Sequence, residues 1–83
     1  MRNRTINKTD KFILRQRTRK SNGKKYYELT LNLDKLRWQP FDVDRVRDVV
    51  DPTRNRSGHY GTSWRYSNRE SAERDLMMLL MKL

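Results

Sequence analysis

Two groups of residues in this chain have the types and spacing to do chemistry at an anion. Arg15, Arg17 and Arg19 alternate along one run, and Arg54, Arg56, His59 and Tyr60 gather in a second stretch that has glycines at 58 and 61 and no acid. Alternation matters because residues two apart in a strand project from one face about 6.6–6.8 Å apart. That spacing is close to the roughly 6–7 Å between successive phosphates of a nucleic-acid strand. A glycine-containing loop with arginine and an aromatic lets the backbone approach phosphates while a ring stacks on a base. It is not a P-loop, since no Gly-Lys-Ser/Thr ends it and no apolar strand precedes it.

Covalent chemistry fares worse. The chain has one histidine and no cysteine, which leaves no thiolate nucleophile and no pair of groups to share acid and base roles. His59 acting as a base in the basic loop is the remaining nuclease reading, and the expectation is a protein that is not an enzyme. Asp34, Asp42, Asp44, Asp48 and Asp51 suggest Mg²⁺, but Arg45 and Arg47 lie between them and pair with them more simply as a solvated face, because a metal site needs convergent ligands. No metal or other cofactor is expected.

The element that must position the first group is a β-hairpin over residues 11–33. Asn22-Gly23 between two alternating runs signals a type I′ turn, whose central residues both take positive φ. That turn predicts cross-strand pairs in which Phe12 meets Leu33, Leu14 meets Leu31, Gln16 meets Leu29 and Thr18 meets Tyr27. The opposite face then carries Ile13, Arg15, Arg17 and Arg19, with Arg17 against Glu28 and Arg19 against Tyr26. A slip of one residue would mix arginines with leucines, so pattern and turn agree on the faces.

Downstream, Leu36, Trp38 and Phe41 are expected to cover an edge of the core, Trp38 as core more than as a base-stacking group. A short helix over 42–51 is capped by Asp42 and ended by Pro52, with Val43, Val46 and Val50 on one face. Residues 53–63 are a loop. Trp64-Arg65-Tyr66 is a third strand with Trp64 and Tyr66 on one face. Ser67 and Glu70 form a capping box that starts a helix running to the end. Its stripe of Ala72, Leu76, Leu79 and Leu83 should lie on the sheet, leaving Met77, Met78 and Met81 on other faces as a protein-interface surface.

The resulting fold class is α+β. A small two-layer domain is expected, its three-stranded antiparallel sheet (the hairpin plus a third strand) covered by the C-terminal helix, with a short helix in the connection. Residues 1–10 read as a flexible basic arm and 11–83 as a single domain. The expected core is Phe12, Leu14, Tyr27, Leu29, Leu31, Leu33, Leu76, Leu79 and Leu80.

Charge decides the partner class. The chain has 20 Lys+Arg against 10 Asp+Glu, a net charge of +10, in only 83 residues. Residues 1–30 carry a net +8 and residues 52–69 a net +4, whereas 31–51 and 70–83 each carry −1. Segregation of that kind points to an anionic partner rather than to solubility alone. A membrane is not that partner, since no 18-residue apolar run and no basic amphipathic helix is present. The first eight residues lack an apolar signal region, so a cytoplasmic protein is expected.

The leading reading is therefore a non-enzymatic nucleic-acid-binding protein, RNA slightly ahead of DNA because tyrosine mixed with arginine on an open sheet suits unpaired bases. Its phosphate-gripping residues would be Arg15, Arg17, Arg19, Lys20, Lys24, Lys25 and Tyr26 on the hairpin, Arg54, Arg56, His59 and Tyr60 in the loop, and Arg65. The alternative is a small inhibitor or adaptor, for example a phage-encoded one, that docks on a host or defence nuclease or another nucleic-acid enzyme, with or without RNA. In that reading the C-terminal helix binds a protein partner or a second copy of the chain.

Overall fold

A computed structural model describes residues 4–32 and 40–83. Expectations for Leu33, Asp34, Leu36, Trp38 and the Phe41 side chain fall outside the described residues. The elements are β1 (Arg4–Lys8), β2 (Phe12–Thr18), β3 (Lys25–Leu31), α1 (Pro40–Val50), β4 (Gly58–Tyr60), β5 (Ser63–Tyr66) and α2 (Arg69–Lys82), with a 3₁₀ turn at Asp51–Thr53 after α1. All pairings are antiparallel, and the sheet has five strands in the order β1-β2-β3-β5-β4. The α+β class with a C-terminal helix stands, while the expected three strands become five.

Both added strands come from segments read as irregular. The stretch expected as a flexible arm supplies β1. Thr9 closes the tight turn into β2, its hydroxyl accepting from the Phe12 amide at 2.9 Å and its amide donating to the Phe12 carbonyl at 2.8 Å. Ile6 packs against the core, and the ladder slips between Thr5 and Asn7, a bulge that roughens an exposed edge strand. The loop over 53–63 folds back at its end, where Gly61 (φ +58°) turns the chain from β4 into β5.

The central hairpin keeps its predicted faces but not its predicted register. Phe12 pairs with Leu31, Leu14 with Leu29, Gln16 with Tyr27 and Arg17 with Tyr26. The turn is longer than two residues. The Arg19 amide donates to the Lys24 carbonyl (2.8 Å) and the Gly23 amide to the Arg19 carbonyl (2.9 Å), so Lys20–Gly23 form the loop. Gly23 takes φ +69°, but Asn22 does not have positive φ. Its side chain instead accepts from the Lys24 amide at 2.9 Å, a local bond that favours this four-residue loop over type I′. The slip is two residues, an even displacement, which leaves every side chain on its own face.

One face of the sheet meets the helices. The core comprises Phe12, Leu14, Leu29, Leu31, Val46, Val50, Trp64, Tyr66, Ala72, Leu76 and Leu79, with Tyr27 and Leu83 packed against it. Leu80, expected inside, is 46% exposed. It lies about 100° around the helix from Leu79, off the stripe that meets the sheet. The α2 cap also differs from expectation. Asn68, not Ser67, is the N-cap, its Oδ1 accepting from the Ser71 amide at 2.8 Å. Glu70 reaches forward to Arg74 at 2.7 Å rather than back to the cap. No described helix is long and apolar enough to cross a membrane.

Candidate nucleic-acid interface

The face of the sheet away from the helices is arginine-rich because the strands alternate. Arg15, Arg17 and Arg19 project there from β2 and the residue after it. Tyr26, Glu28 and Thr30 project from β3, Ser63 and Arg65 from β5, and Tyr60 from β4, as the pairings Arg15↔Glu28, Arg17↔Tyr26, Glu28↔Arg65 and Tyr60↔Ser63 require. Ile13 sits at the far end of this face and is buried.

Glu28 organises the middle of the surface. It is 8% exposed. Arg17 Nε donates to its Oε1 at 2.9 Å, reaching diagonally because Tyr26 occupies the position directly opposite Arg17. Arg65 Nε stands 3.9 Å from Oε2, an ion-pair distance rather than a hydrogen bond. Thr30 Oγ1 donates to Oε1 at 3.5 Å and lies 3.1 Å from Ser63 Oγ. A carboxylate so placed is enclosed by cations instead of repelling an approaching anion.

Cations and rings alternate across this face. The guanidinium of Arg19 lies 5.3 Å from the Tyr26 ring centroid, that of Arg65 lies 5.0 Å from the same ring, and Arg65 also lies 4.3 Å from the Tyr60 ring. Each contact contributes about 0.5–1 kcal/mol at a partly exposed site, and together they hold Arg65 between two rings. An open cleft of about 420 Å³ lies beside the stack, lined by Arg17, Thr18, Arg19, Lys20, Ser21, Tyr26 and Arg65. Lys24 and Lys25 line a second cleft of about 350 Å³ with Arg19, Tyr26, Ser57 and Ser67.

The predicted loop residues divide. Tyr60 is on the outer face and 63% exposed. His59, one residue earlier in the strand, points the other way. Its ring lies 4.9 Å from the Trp64 ring, and its Nε2 donates to the Gly61 carbonyl at 2.7 Å. Strand alternation thus puts His59 and Tyr60, neighbours in the sequence, on opposite faces of the sheet. Arg56 is bound to Asp51 at 2.9 Å. Arg54 is exposed and takes φ +56° after the 3₁₀ turn. No described contact joins either arginine to the outer face.

What holds that loop was missed from sequence. Asp75 of α2 is fully buried and accepts from Tyr66 Oη at 2.7 Å, Asn55 Nδ2 at 3.0 Å and Thr53 Oγ1 at 3.2 Å. Burial raises the Tyr66 phenol well above its ordinary range, and the hydrogen bond and charge of Asp75 add to that. The signal was present. Asp75 falls on the same helical face as Ala72, Leu76 and Leu79, and an acid on an apolar stripe requires partners.

Met77 is 63% exposed and Met81 82% exposed, beside Leu80 on the outer side of α2, while Met78 is half-buried. Among the described residues no three His, Asp or Glu side chains are grouped to hold a metal ion. Comparison with known protein families, curated proteins and solved structures finds no match to this chain.

Proposed function

We propose that this is a non-enzymatic nucleic-acid-binding protein whose outer sheet face and hairpin tip grip phosphates. The observation that carries the reading is the continuity of that surface. Arg15, Arg17, Arg19 and Arg65 share it with the exposed lysines of the turn, and the Glu28 carboxylate there is sunk between two of the arginines. Arginine is well suited to the role, because its planar fork matches phosphate oxygens and stacks on rings.

Stacking on unpaired RNA bases needs open tyrosine rings, and arginines occupy part of both. Tyr26 lies against Arg19 and Arg65, and Tyr60 lies over Arg65. Arg54, Arg56 and His59 lose their place in the grip, the first two for want of a link to the face and the last because it turns away.

The test is a binding titration against DNA and RNA at several salt concentrations. With about six phosphates neutralised, affinity should fall roughly a thousandfold between about 50 and 200 mM salt. Absence of binding to any nucleic acid at the low end refutes the proposal. A second reading, a small inhibitor or adaptor that docks on another protein, is favoured by one observation, the exposed apolar group of Met77, Leu80 and Met81 on α2.

A further inference from the structure

Among the described residues, the register of the sheet gives the turn end of the central hairpin no third strand to pair with. Among the described residues, pairing with β1 ends at Arg4↔Gln16 and pairing with β5 ends at Tyr66↔Tyr27. Beyond that row, among the described residues, β2 and β3 pair only with each other through Arg17↔Tyr26 and Thr18↔Lys25, and Arg19 bonds Lys24 before the chain turns. Ser57 and Ser67 line a cleft along one side of this ribbon with Asn22, Lys24, Lys25 and Tyr26. Residues 19–25 are all exposed. The ribbon over 17–26 carries Arg17, Arg19, Lys20, Lys24 and Lys25 and no acid.

Resting on the nucleic-acid reading above, we infer that this ribbon enters the major groove of a B-form DNA duplex. Dimensions decide between the ways a basic sheet can meet nucleic acid. Five strands about 4.8 Å apart span roughly 19 Å, which is too wide for a major groove of about 12 Å. Two strands fit, and a two-stranded ribbon is one of the shapes that groove admits. Three residue pairs at about 3.3 Å each carry the turn roughly 10 Å past the last row paired with β5, comparable with a groove depth of about 8.5 Å. The minor groove, about 6 Å wide, is too narrow for a ribbon with side chains on both faces. The major groove of A-form RNA is too deep and narrow for side chains to read.

Side-chain chemistry agrees with this placement. Lys20, Lys24 and Lys25 lie at and beside the turn, where they meet phosphates on the groove walls. Arg19 is braced against Tyr26, which lowers the entropy lost when a long cation is fixed on a ligand. Arg15 and Arg65 remain at the base of the ribbon, positioned for the phosphate ridge that the sheet face would lie along.

The experiment compares one protein on four probes of matched sequence at a fixed ionic strength. These are a DNA duplex, an RNA duplex, single-stranded DNA, and a DNA duplex with bulky substituents on pyrimidine C5, which project into the major groove. The unmodified DNA duplex should bind tightest, and the C5 substituents should weaken it by about tenfold or more. Lys20→Ser combined with Lys24→Ser should keep the fold, since both sites are exposed, and lower the salt slope by about two. Equal affinity for all four probes, or indifference to the C5 groups or to the lysine changes, overturns the groove inference and leaves the nucleic-acid reading intact. Loss of binding to every probe overturns both.

Discussion

Glu28 and Asp75 are buried acids with opposite surroundings, and the difference predicts how each site responds to change. Glu28 is enclosed by arginines that are themselves about a third exposed. Arg17→Ala removes the donor 2.9 Å from a nearly buried carboxylate and should cost roughly 1–3 kcal/mol of stability. Arg15→Ala breaks no bond of that kind and should stay within about 0.5 kcal/mol. Urea unfolding of the two variants decides this, and equal losses would mean that Glu28 does not depend on Arg17. Asp75 is held by neutral donors, chief among them Tyr66. The raised phenol pKa means that the native state keeps a proton which the unfolded state gives up above about pH 10. Stability from this group is therefore complete below that pH and declines as pH rises beyond it. Tyr66→Phe should lose roughly 1–3 kcal/mol at neutral pH and show a shallower decline in melting temperature between about pH 9 and 11. An unchanged slope in the variant would show that other groups control the alkaline limb.

At the scale of elements, features set by periodicity were legible, and features set by competing local bonds were not. The faces of β2 and β3 follow from alternation and survive the two-residue slip. The slip itself came from the choice between a type I′ turn and a loop stabilised by the Asn22 side chain, which sequence pattern does not rank. β1 was missed because its pattern is nearly all polar. Ile6 is its one packed residue, and a single apolar side chain gives no period. The start of α2 was misplaced by one residue because Ser67 and Asn68 are both good caps, and only geometry shows which one accepts from an amide. This gives a clean contrast. Asn68→Ala should cost about 0.5–2 kcal/mol, while Ser67→Ala should be nearly silent in the same thermal melt, and the reverse order would restore the capping box. The far end of the helix tests the adaptor reading. Met77→Lys with Met81→Lys should leave the melting temperature almost unchanged, since both side chains lie outside the core, and should abolish any self-association or docking through that face by placing charge in an apolar contact. Sedimentation of the variant shows which holds. A collapsed melt would mean that the methionines support the fold.

For the whole molecule, the segregation of charge was legible but its distribution over the surface was not. The two basic blocks of the sequence do not merge into one patch. The first builds the hairpin and the outer face. From the second, Arg65 joins that face, whereas Arg56 turns to Asp51 and Arg69 to Glu73. A net charge of +10 on so small a body repels itself in the folded state more than in the expanded chain. Exposed pairs such as Arg69–Glu73 and Arg74–Glu70 contribute only about 0–1 kcal/mol each, so screening them costs less than screening the repulsion gains. The free protein should therefore melt at a higher temperature as salt rises from about 50 to 500 mM, where the screening length shortens well below about 10 Å. With a DNA duplex present the order should reverse. A ligand at 100 times its dissociation constant adds about 2.7 kcal/mol to the folded state, and that benefit disappears as salt weakens phosphate binding. Thermal melts with and without duplex across that range should thus converge at high salt, with the bound curve falling and the free curve rising. A free-protein melting temperature that falls with salt would show that ion pairs outweigh the repulsion. A duplex that leaves the low-salt melt unmoved would remove the ligand from the account.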